Sequence, residues 1–116
     1  MLFRIDPSST VPLYEQVAAS VRRALSERRI APGDRLPPAR ELATSLDVNV
    51  HTVLRAYATL RDEGVIDLRR RRGAVVTGHA DGHARLATLV GELVAESRRV
   101  GMDAEELVTI VRRKFS

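Results

Sequence analysis

The sequence VIDLRRRRGAVVT at residues 65–77 is the most informative stretch of the chain. Two runs typical of short β-strands, residues 65–68 and 74–77, flank four consecutive arginines, Arg69 to Arg72, and Gly73. This arrangement predicts a β-hairpin with a strongly basic tip. Like charges at a hairpin tip repel one another, and a bound polyanion would relieve that repulsion. A solvated turn is the alternative interpretation.

The hairpin directly follows a predicted helix-turn-helix. A second helix from Ala39 to Leu46 and a third helix capped by Asn49 are joined by a turn of about three residues. A first helix from Pro12 to about Arg28 precedes this pair. A very short strand at residues 35–36 is expected to cap the hairpin. The third helix ends at Gly64, and its apolar residues at helical spacing are Val53, Ala56, Tyr57 and Leu60.

The third helix leaves several polar side chains free of the core. Asn49, His51 and Thr52 occupy its first turn, and Arg55 follows one turn later on the side of His51. Such side chains can hydrogen-bond base edges or phosphates, which indicates a recognition helix. An ordinary solvated face, with Asn49 serving only as a cap, is the alternative. The predicted DNA-binding residues are Arg40, Asn49, His51, Thr52, Arg55, Arg69, Arg70, Arg71, Arg72 and Gly73.

The net charge of the chain is concentrated in its first two-thirds. Residues 1–78 contain 13 arginines and 9 acidic residues, whereas residues 79–116 contain 6 residues of each sign, so the first segment carries the formal charge of +4. This asymmetry indicates a head that binds a polyanion and a neutral tail. An arginine-rich proteome would explain single arginines, since 18 of the 19 basic residues are Arg, but it would not explain the asymmetry.

Several classes of protein are disfavoured by what the sequence lacks. There is no cysteine, so disulfides, thiolate metal sites and cysteine nucleophiles are excluded, and the chain suits a reducing cytosol. The N-terminus has no apolar run typical of signal peptides, and no stretch approaches the roughly 20 apolar residues of a membrane helix. We therefore expect a cytoplasmic protein that makes no membrane contact.

Residues that could carry catalysis or bind a metal do not form a recognisable set. His79 and His83 are four positions apart, but Gly82 argues against a shared helix, and no acidic cluster accompanies them. The serines have no evident His and Asp partners, and there is no glycine-rich phosphate loop. We expect no enzyme activity, no metal site and no cofactor.

The C-terminal third predicts a tail of two helices. A hinge at residues 78–82 is expected to lead into a fourth helix from about His83 to Val100, and Asp103 with Glu106 forms a capping box for a fifth. Below about 40 residues a fold usually needs external support, and the same helix pair from a second chain is the economical partner. The predicted dimerisation residues are Leu86, Leu89, Val90, Leu93, Val94, Leu107, Val108, Val111 and Phe115.

Several segments in register match a known family. They are PLYEQV at residues 12–17, PGDRLP at 32–37 and RELA at 40–43, followed by Thr52-Val53, Ala56-Tyr57, Leu60, Glu63-Gly64 and the wing positions Arg70, Gly73 and Val76. Across about residues 10–77 the chain thus resembles the GntR-type winged helix-turn-helix transcription regulators. The resemblance implies an α+β, mostly helical fold. A DNA-binding domain of three helices and a small hairpin wing is expected over residues 1–78, and a dimerisation region over residues 79–116.

The short tail is similar to that of the YtrA-type subfamily. This resemblance implies a homodimer bound to an inverted-repeat operator, usually as a repressor and often near genes for ABC-type transporters. Control of an ABC-transporter operon is therefore an expectation. The sequence identifies no small-molecule effector and is equally compatible with there being none. The tail is too small for a pocket of ~300 Å³ within one protomer, so an effector, if the chain has one, would bind at the dimer interface or between head and tail.

Three positions depart from the family pattern. Pro38 stands where a serine commonly caps the second helix, so the cap hydroxyl is missing. Val50 stands where many members have an arginine, and His51 and Arg55 are expected to replace that base contact. Arg71 stands where the wing often has its first glycine, which restricts close backbone approach to a minor groove but adds a charge that favours the groove.

Two other functions stay open at this point. A basic architectural protein would coat DNA without sequence preference, and equal affinities for operator and random DNA would reveal it. A winged helix used for protein contacts would bind an acidic partner through the arginine run and would show no salt-dependent affinity for DNA.

Overall fold

The computed structural model describes residues 3–116 of the chain. A first compact unit ends at Arg85, and a second comprises Leu86–Ser116. The expected α+β, mostly helical fold is confirmed, and no helix within the described residues is long and apolar enough to cross a membrane. In chain order the elements are α1 (Leu13–Ser26), α2 (Ala39–Leu46), α3 (Val50–Asp62), β1 (Ile66–Arg69), β2 (Gly73–Val76), α4 (Ala80–Arg99) and α5 (Ala104–Phe115).

The core of the first unit lies between α1, α2, α3 and the hairpin. It is built almost wholly from aliphatic side chains, as a sequence with 3% aromatic residues requires. α1 begins directly after Pro12, as predicted, but ends at Ser26 because Arg28 adopts a left-handed φ of 59° and turns the chain. The large side chains that are fully buried include Phe3, Val17, Val21, Val53, Leu60, Val65, Ile66 and Val76.

α2 and α3 form the predicted helix-turn-helix. α2 has the predicted bounds and ends where Asp47 adopts a left-handed φ of 57°. The side-chain oxygen of Asn49 accepts a hydrogen bond from the backbone N–H of His51 at 2.8 Å, so Asn49 caps α3 as predicted. Pro38 occupies the N-cap of α2 without a side-chain hydrogen bond, which confirms the expected loss of the cap.

β1 and β2 pair antiparallel, and their register ends with Arg69 opposite Gly73. Arg69 therefore lies at the end of β1, and the turn consists of the remaining arginines, Arg70 to Arg72. Gly73 adopts a φ of 70°, a left-handed conformation that suits glycine. A bridge between Arg35 and Val75 adds the predicted short strand to the hairpin.

The segment predicted as a hinge, residues 78–82, is partly helical. α4 begins at Ala80, so Gly82 lies inside the helix. Ala80 and Ala84 are buried in the core of the first unit, which ends at Arg85. The hinge prediction was wrong because Ala80 and Ala84, four residues apart, form a helix face that packs on the core. The surrounding glycines and histidines hide this face, since they leave no apolar periodicity in the sequence.

The second unit consists of the rest of α4 and the whole of α5. Gly101, with a φ of 77°, turns the chain, and the N–H of Met102 donates to the carbonyl of Ser97 at 2.8 Å. The predicted capping box of Asp103 and Glu106 is present at the start of α5. Ser97 is the one buried residue of Leu86–Ser116, so this unit leaves most of its apolar side chains exposed.

Candidate nucleic-acid interface

The first turn of α3 presents three of the predicted DNA-binding residues. Asn49 and His51 are exposed, and Thr52 is half-buried. The side-chain oxygen of Asn49 is engaged in capping, so its amide nitrogen is the donor left for a base or a phosphate. The positive end of the α3 dipole adds to the attraction for a phosphate at this turn.

Arg55 lies one turn further along α3 and is held from the side by α1. Its guanidinium carbon is 3.8 Å from the centroid of the Tyr14 ring, which is a cation–π contact. Arg55 is nevertheless exposed. A stacked guanidinium keeps its edge N–H groups available for hydrogen bonds, so Arg55 is oriented before any ligand arrives.

Arg40 lies exposed in the first turn of α2. The loop before α2 is fixed by Tyr57 of α3, whose hydroxyl donates to the carbonyl oxygen of Pro37 at 2.6 Å. Burial, with a smaller contribution from the nearby carboxylate of Glu41, raises the pKa of Tyr57 well above its usual value. The hydroxyl therefore stays a donor at physiological pH and ties the start of α2 to α3.

The turn of the hairpin carries charge that the described residues do not neutralise. Arg69 contacts Asp67, two residues earlier on the same strand, at 3.5 Å. Arg70, Arg71 and Arg72 are exposed and make no ion pair with any residue between 3 and 116. Three neighbouring guanidinium groups without counter-ions favour the binding of a polyanion, which stays a prediction.

The C-terminal end of α3 is fixed by α1 and α4. Arg22 makes a bidentate ion pair with Glu63 at 2.9 and 2.6 Å, and both side chains are mostly shielded from solvent. The Nδ1 atom of His83 lies 2.9 Å from the carbonyl oxygen of Glu63. A Cβ at Gly64 would lie 2.0 Å from the same ring. These contacts, which join residues distant in sequence, set the orientation of α3.

Leu54 is an exposed apolar residue of α3 that was not predicted from the sequence. It lies three positions after His51. Although its side chain is apolar like those buried on α3, 48% of its surface is exposed. The signal was present, since Leu54 falls outside the i, i+3, i+4 and i+7 spacing of the buried stripe. Apolar side chains on a recognition helix contact the methyl group of thymine.

The two histidines near the start of α4 are closer than the sequence predicts. His83 lies in α4 and His79 directly precedes it, with ring centroids 4.4 Å apart. Gly82 does not separate them as expected, because it is itself helical. Among residues 3–116 no group of three or more potential ligands that could hold a metal ion is present.

The predicted dimerisation residues lie on α4 and α5. Leu86 is 59% exposed and Phe115 is 89% exposed, whereas Val94 and Leu107 are half-buried within the second unit. Val100 and Ile110, which the sequence analysis did not include, are exposed as well. The other predicted members, all exposed, are Leu89, Val90, Leu93, Val108 and Val111.

Comparison with known proteins decides the family. A sequence model described as "Bacterial regulatory proteins, gntR family" matches residues 13–76, which is more than half of the chain. The chain belongs to the GntR family. The matched range covers α1, the helix-turn-helix and the hairpin, so the GntR resemblance expected from the sequence is confirmed.

Similarity to individual GntR regulators continues into the tail. The "HTH-type transcriptional repressor YtrA" of Bacillus subtilis (strain 168) is 32% identical over 112 residues, which cover 91% of this chain and 86% of that protein. The solved structure of "YtrA from Sulfolobus acidocaldarius, a GntR-family transcription factor" has a TM-score of 0.65 at 35% identity and covers 82% of this chain and 99% of that one. The predicted YtrA-type resemblance is thus confirmed.

The fold likeness also includes a domain that was solved in complex with an operator. The DNA-binding domain of AraR "in complex with operator ORE1" has a TM-score of 0.57 at 22% identity, covering 66% of this chain and 94% of that one. The curated relatives are named as transcriptional regulators and not as enzymes. The GntR-family chain is a sequence-specific DNA-binding transcription regulator and is not an enzyme, as expected.

Proposed function

We propose that this chain is a cytoplasmic homodimeric repressor that binds an inverted-repeat operator. α3 of each protomer enters a major groove, and the hairpin contacts the flanking backbone as a wing. The observation that carries the proposal is the unneutralised charge of Arg70 to Arg72 in the same compact unit as the exposed first turn of α3.

The side chains divide by chemistry between base reading and phosphate binding. His51 and Arg55 project from α3 and can reach base edges, and Leu54 offers an apolar surface beside them. Asn49 and Thr52 sit at the positive end of the α3 dipole, where a phosphate binds well. Arg40 and the arginines from Arg69 to Arg72, with Gly73 at the end of the turn, contact the backbone of the duplex.

A second copy of the chain is the partner that the tail requires. The second unit spans Leu86–Ser116, with Ser97 as its one buried residue. A unit of this size does not hold a core by itself, and its exposed leucines and valines need a cover. A two-fold axis between two tails supplies the same cover to both protomers and carries two α3 helices to two half-sites.

The direction of regulation rests on the relatives. Bacillus subtilis YtrA, similar along most of both chains, is named a transcriptional repressor, which favours repression by this chain as well. The YtrA-type resemblance further implies an operon for an ABC-type transporter as the target. Both statements are tested by transcript levels in a strain that lacks the protein. The transcript level of the operon next to its gene should rise in that strain.

A fluorescence-anisotropy titration tests sequence-specific binding. The purified chain is titrated against its own upstream DNA and against a scrambled duplex of the same composition, each at two salt concentrations. Binding at least ~10³-fold tighter to the upstream DNA is expected. Equal, steeply salt-dependent binding would lead to selection of bound genomic fragments, and the absence of any preferred fragment would favour an architectural protein instead.

A further inference from the structure

α5 carries a line of four exposed side chains that alternate between charged and apolar. Glu105, Val108, Arg112 and Phe115 are separated by three, four and three residues, the spacing of one helix face. Val108 is 42% exposed and Phe115 is 89% exposed. This line, called the α5 face below, therefore has an acid near one end, a base near the other and apolar residues between and beyond.

The two charges of the α5 face have no partner within the part of the chain that the structure describes. Neither the carboxylate of Glu105 nor the guanidinium of Arg112 makes an ion pair or a hydrogen bond with any residue from 3 to 116. They are two turns apart, about 10 Å along the helix axis, which is too far for a mutual contact. By contrast, Glu106 is engaged in the capping box. The charges of the α5 face are free for a partner.

We infer that α5 packs antiparallel against α5 of a second copy of this chain, with Glu105 of each protomer facing the partner's Arg112. The inference rests on the proposed homodimer and adds its orientation. In this arrangement the two-fold axis passes near Val108 of both chains, and two identical ion pairs flank the apolar centre. Phe115 lies beyond the pairs and packs near the start of the partner's α5.

The order of charges along α5 selects this orientation. In a parallel pair each Glu105 would face the partner's Glu105 and each Arg112 the partner's Arg112, so both contacts would repel. In the antiparallel pair both contacts attract. Exposed ion pairs add little affinity, so the apolar side chains hold the dimer together, while the charges decide its orientation and exclude other partners.

Charge reversal in the full-length chain tests the orientation. Glu105→Arg alone brings two arginines together at each contact, and Arg112→Glu alone brings two glutamates together, so each variant should dimerise about tenfold or more weakly than the wild type. An equimolar mixture of the two variants should restore dimers, because both contacts are then between opposite charges. Native mass spectrometry should find the mixed dimer well above its statistical share.

The matched control is Arg113→Glu. It makes the same change of charge in the same last turn of α5, with the same effect on the helix dipole, but Arg113 lies outside the α5 face. It should leave the dimer dissociation constant within about twofold of the wild type. Circular dichroism of every variant measures its helix content and so distinguishes weaker dimerisation from loss of helix. Restoration of dimers on mixing is a second control, because two misfolded chains would not restore them.

The outcomes separate this inference from the homodimer itself. A wild-type chain that stays monomeric at micromolar concentration overturns both. A wild-type dimer whose two single variants stay weak after mixing, or whose variants dimerise as well as the wild type, overturns the antiparallel α5 pairing and leaves the homodimer standing. As a further check, the double variant Glu105→Arg with Arg112→Glu should dimerise like the wild type.

Discussion

The guanidinium of Arg55 is stacked on Tyr14, and for this reason we expect Arg55 to read a base. Replacing Arg55 by Ala should weaken binding to the operator by about 1–3 kcal/mol and relax the preference at one position of each half-site. Tyr14→Ala should cause a smaller loss of the same kind, because it frees Arg55 without removing it. Anisotropy with operator and scrambled duplexes measures both effects. An equal loss on the two duplexes would show that Arg55 contacts phosphates only.

Leu54 is expected to contact DNA differently from Arg55, because an apolar side chain can contact only the thymine methyl group on a base edge. In an operator selected by the wild-type chain, replacing one thymine of each half-site by uracil should weaken binding by about 1 kcal/mol. Leu54→Ala should abolish that difference between thymine and uracil. Val11→Ala, at a position outside α3 that is equally exposed at 48%, should leave it unchanged. A thymine preference that persists in Leu54→Ala would contradict the assignment.

The buried hydroxyl of Tyr57 predicts a dependence of stability on alkaline pH. Burial raises the pKa of Tyr57 above its value in the unfolded chain, so the folded state favours the protonated form. The resulting stability is complete below a pH of about 10 and is lost as the pH rises above it. In thermal unfolding, the stability of Tyr57→Phe should decline less between about pH 9 and 11 than that of the wild type. Near neutral pH the variant should be less stable by about 1 kcal/mol, because it lacks the hydrogen bond. Parallel declines in the two proteins would exclude Tyr57 as the cause.

At the scale of elements, features coded by neighbouring residues were predictable from the sequence. The bounds of α2, the Asn49 cap of α3 and the capping box of α5 were predicted and are confirmed, because each depends on residues within one or two turns. The start of α4 was not predictable, since burial of Ala80 and Ala84 depends on the core they meet. The stacking of Arg55 on Tyr14 likewise requires α1 and α3 to be packed together.

The arginines of the hairpin are expected to bind phosphates together, so the salt dependence of DNA binding is the appropriate measurement. Changing Arg70 and Arg72 together to Ala should lower the logarithmic salt slope of DNA binding by about 1.8, because each arginine that neutralises one phosphate adds about 0.9 to the slope. Affinity should fall on operator and random duplexes alike, because phosphates carry no sequence. The double variant Arg4→Ala with Arg23→Ala removes two exposed arginines of the first unit that lie outside the hairpin. It should keep the wild-type slope, and an equal change in both double variants would reject the wing assignment.

At the scale of the whole molecule, operator affinity should depend on the tail, because the tail is expected to hold the two DNA-binding units of the proposed dimer together. Leu89→Glu places a charge among the exposed apolar side chains of α4 and should turn the dimer into a monomer at micromolar concentration, as sedimentation would show. A monomer engages one half-site, so operator affinity should fall at least ~10²-fold. Ala95→Glu, on the opposite face of α4 from Leu89 and Leu93, is the control. Full operator affinity in a monomeric Leu89→Glu variant would contradict the dimeric mode of binding.

The most direct test of the dimeric winged-helix account is a hydroxyl-radical footprint of the full-length protein on an operator selected from random DNA. Two protected regions related by two-fold symmetry, with centres about one helical turn (~34 Å) or a small multiple apart, are expected. The expected stoichiometry is one dimer per operator. A single asymmetric protected region, or protection that spreads along the duplex without a boundary, would contradict a homodimer that reads an inverted repeat.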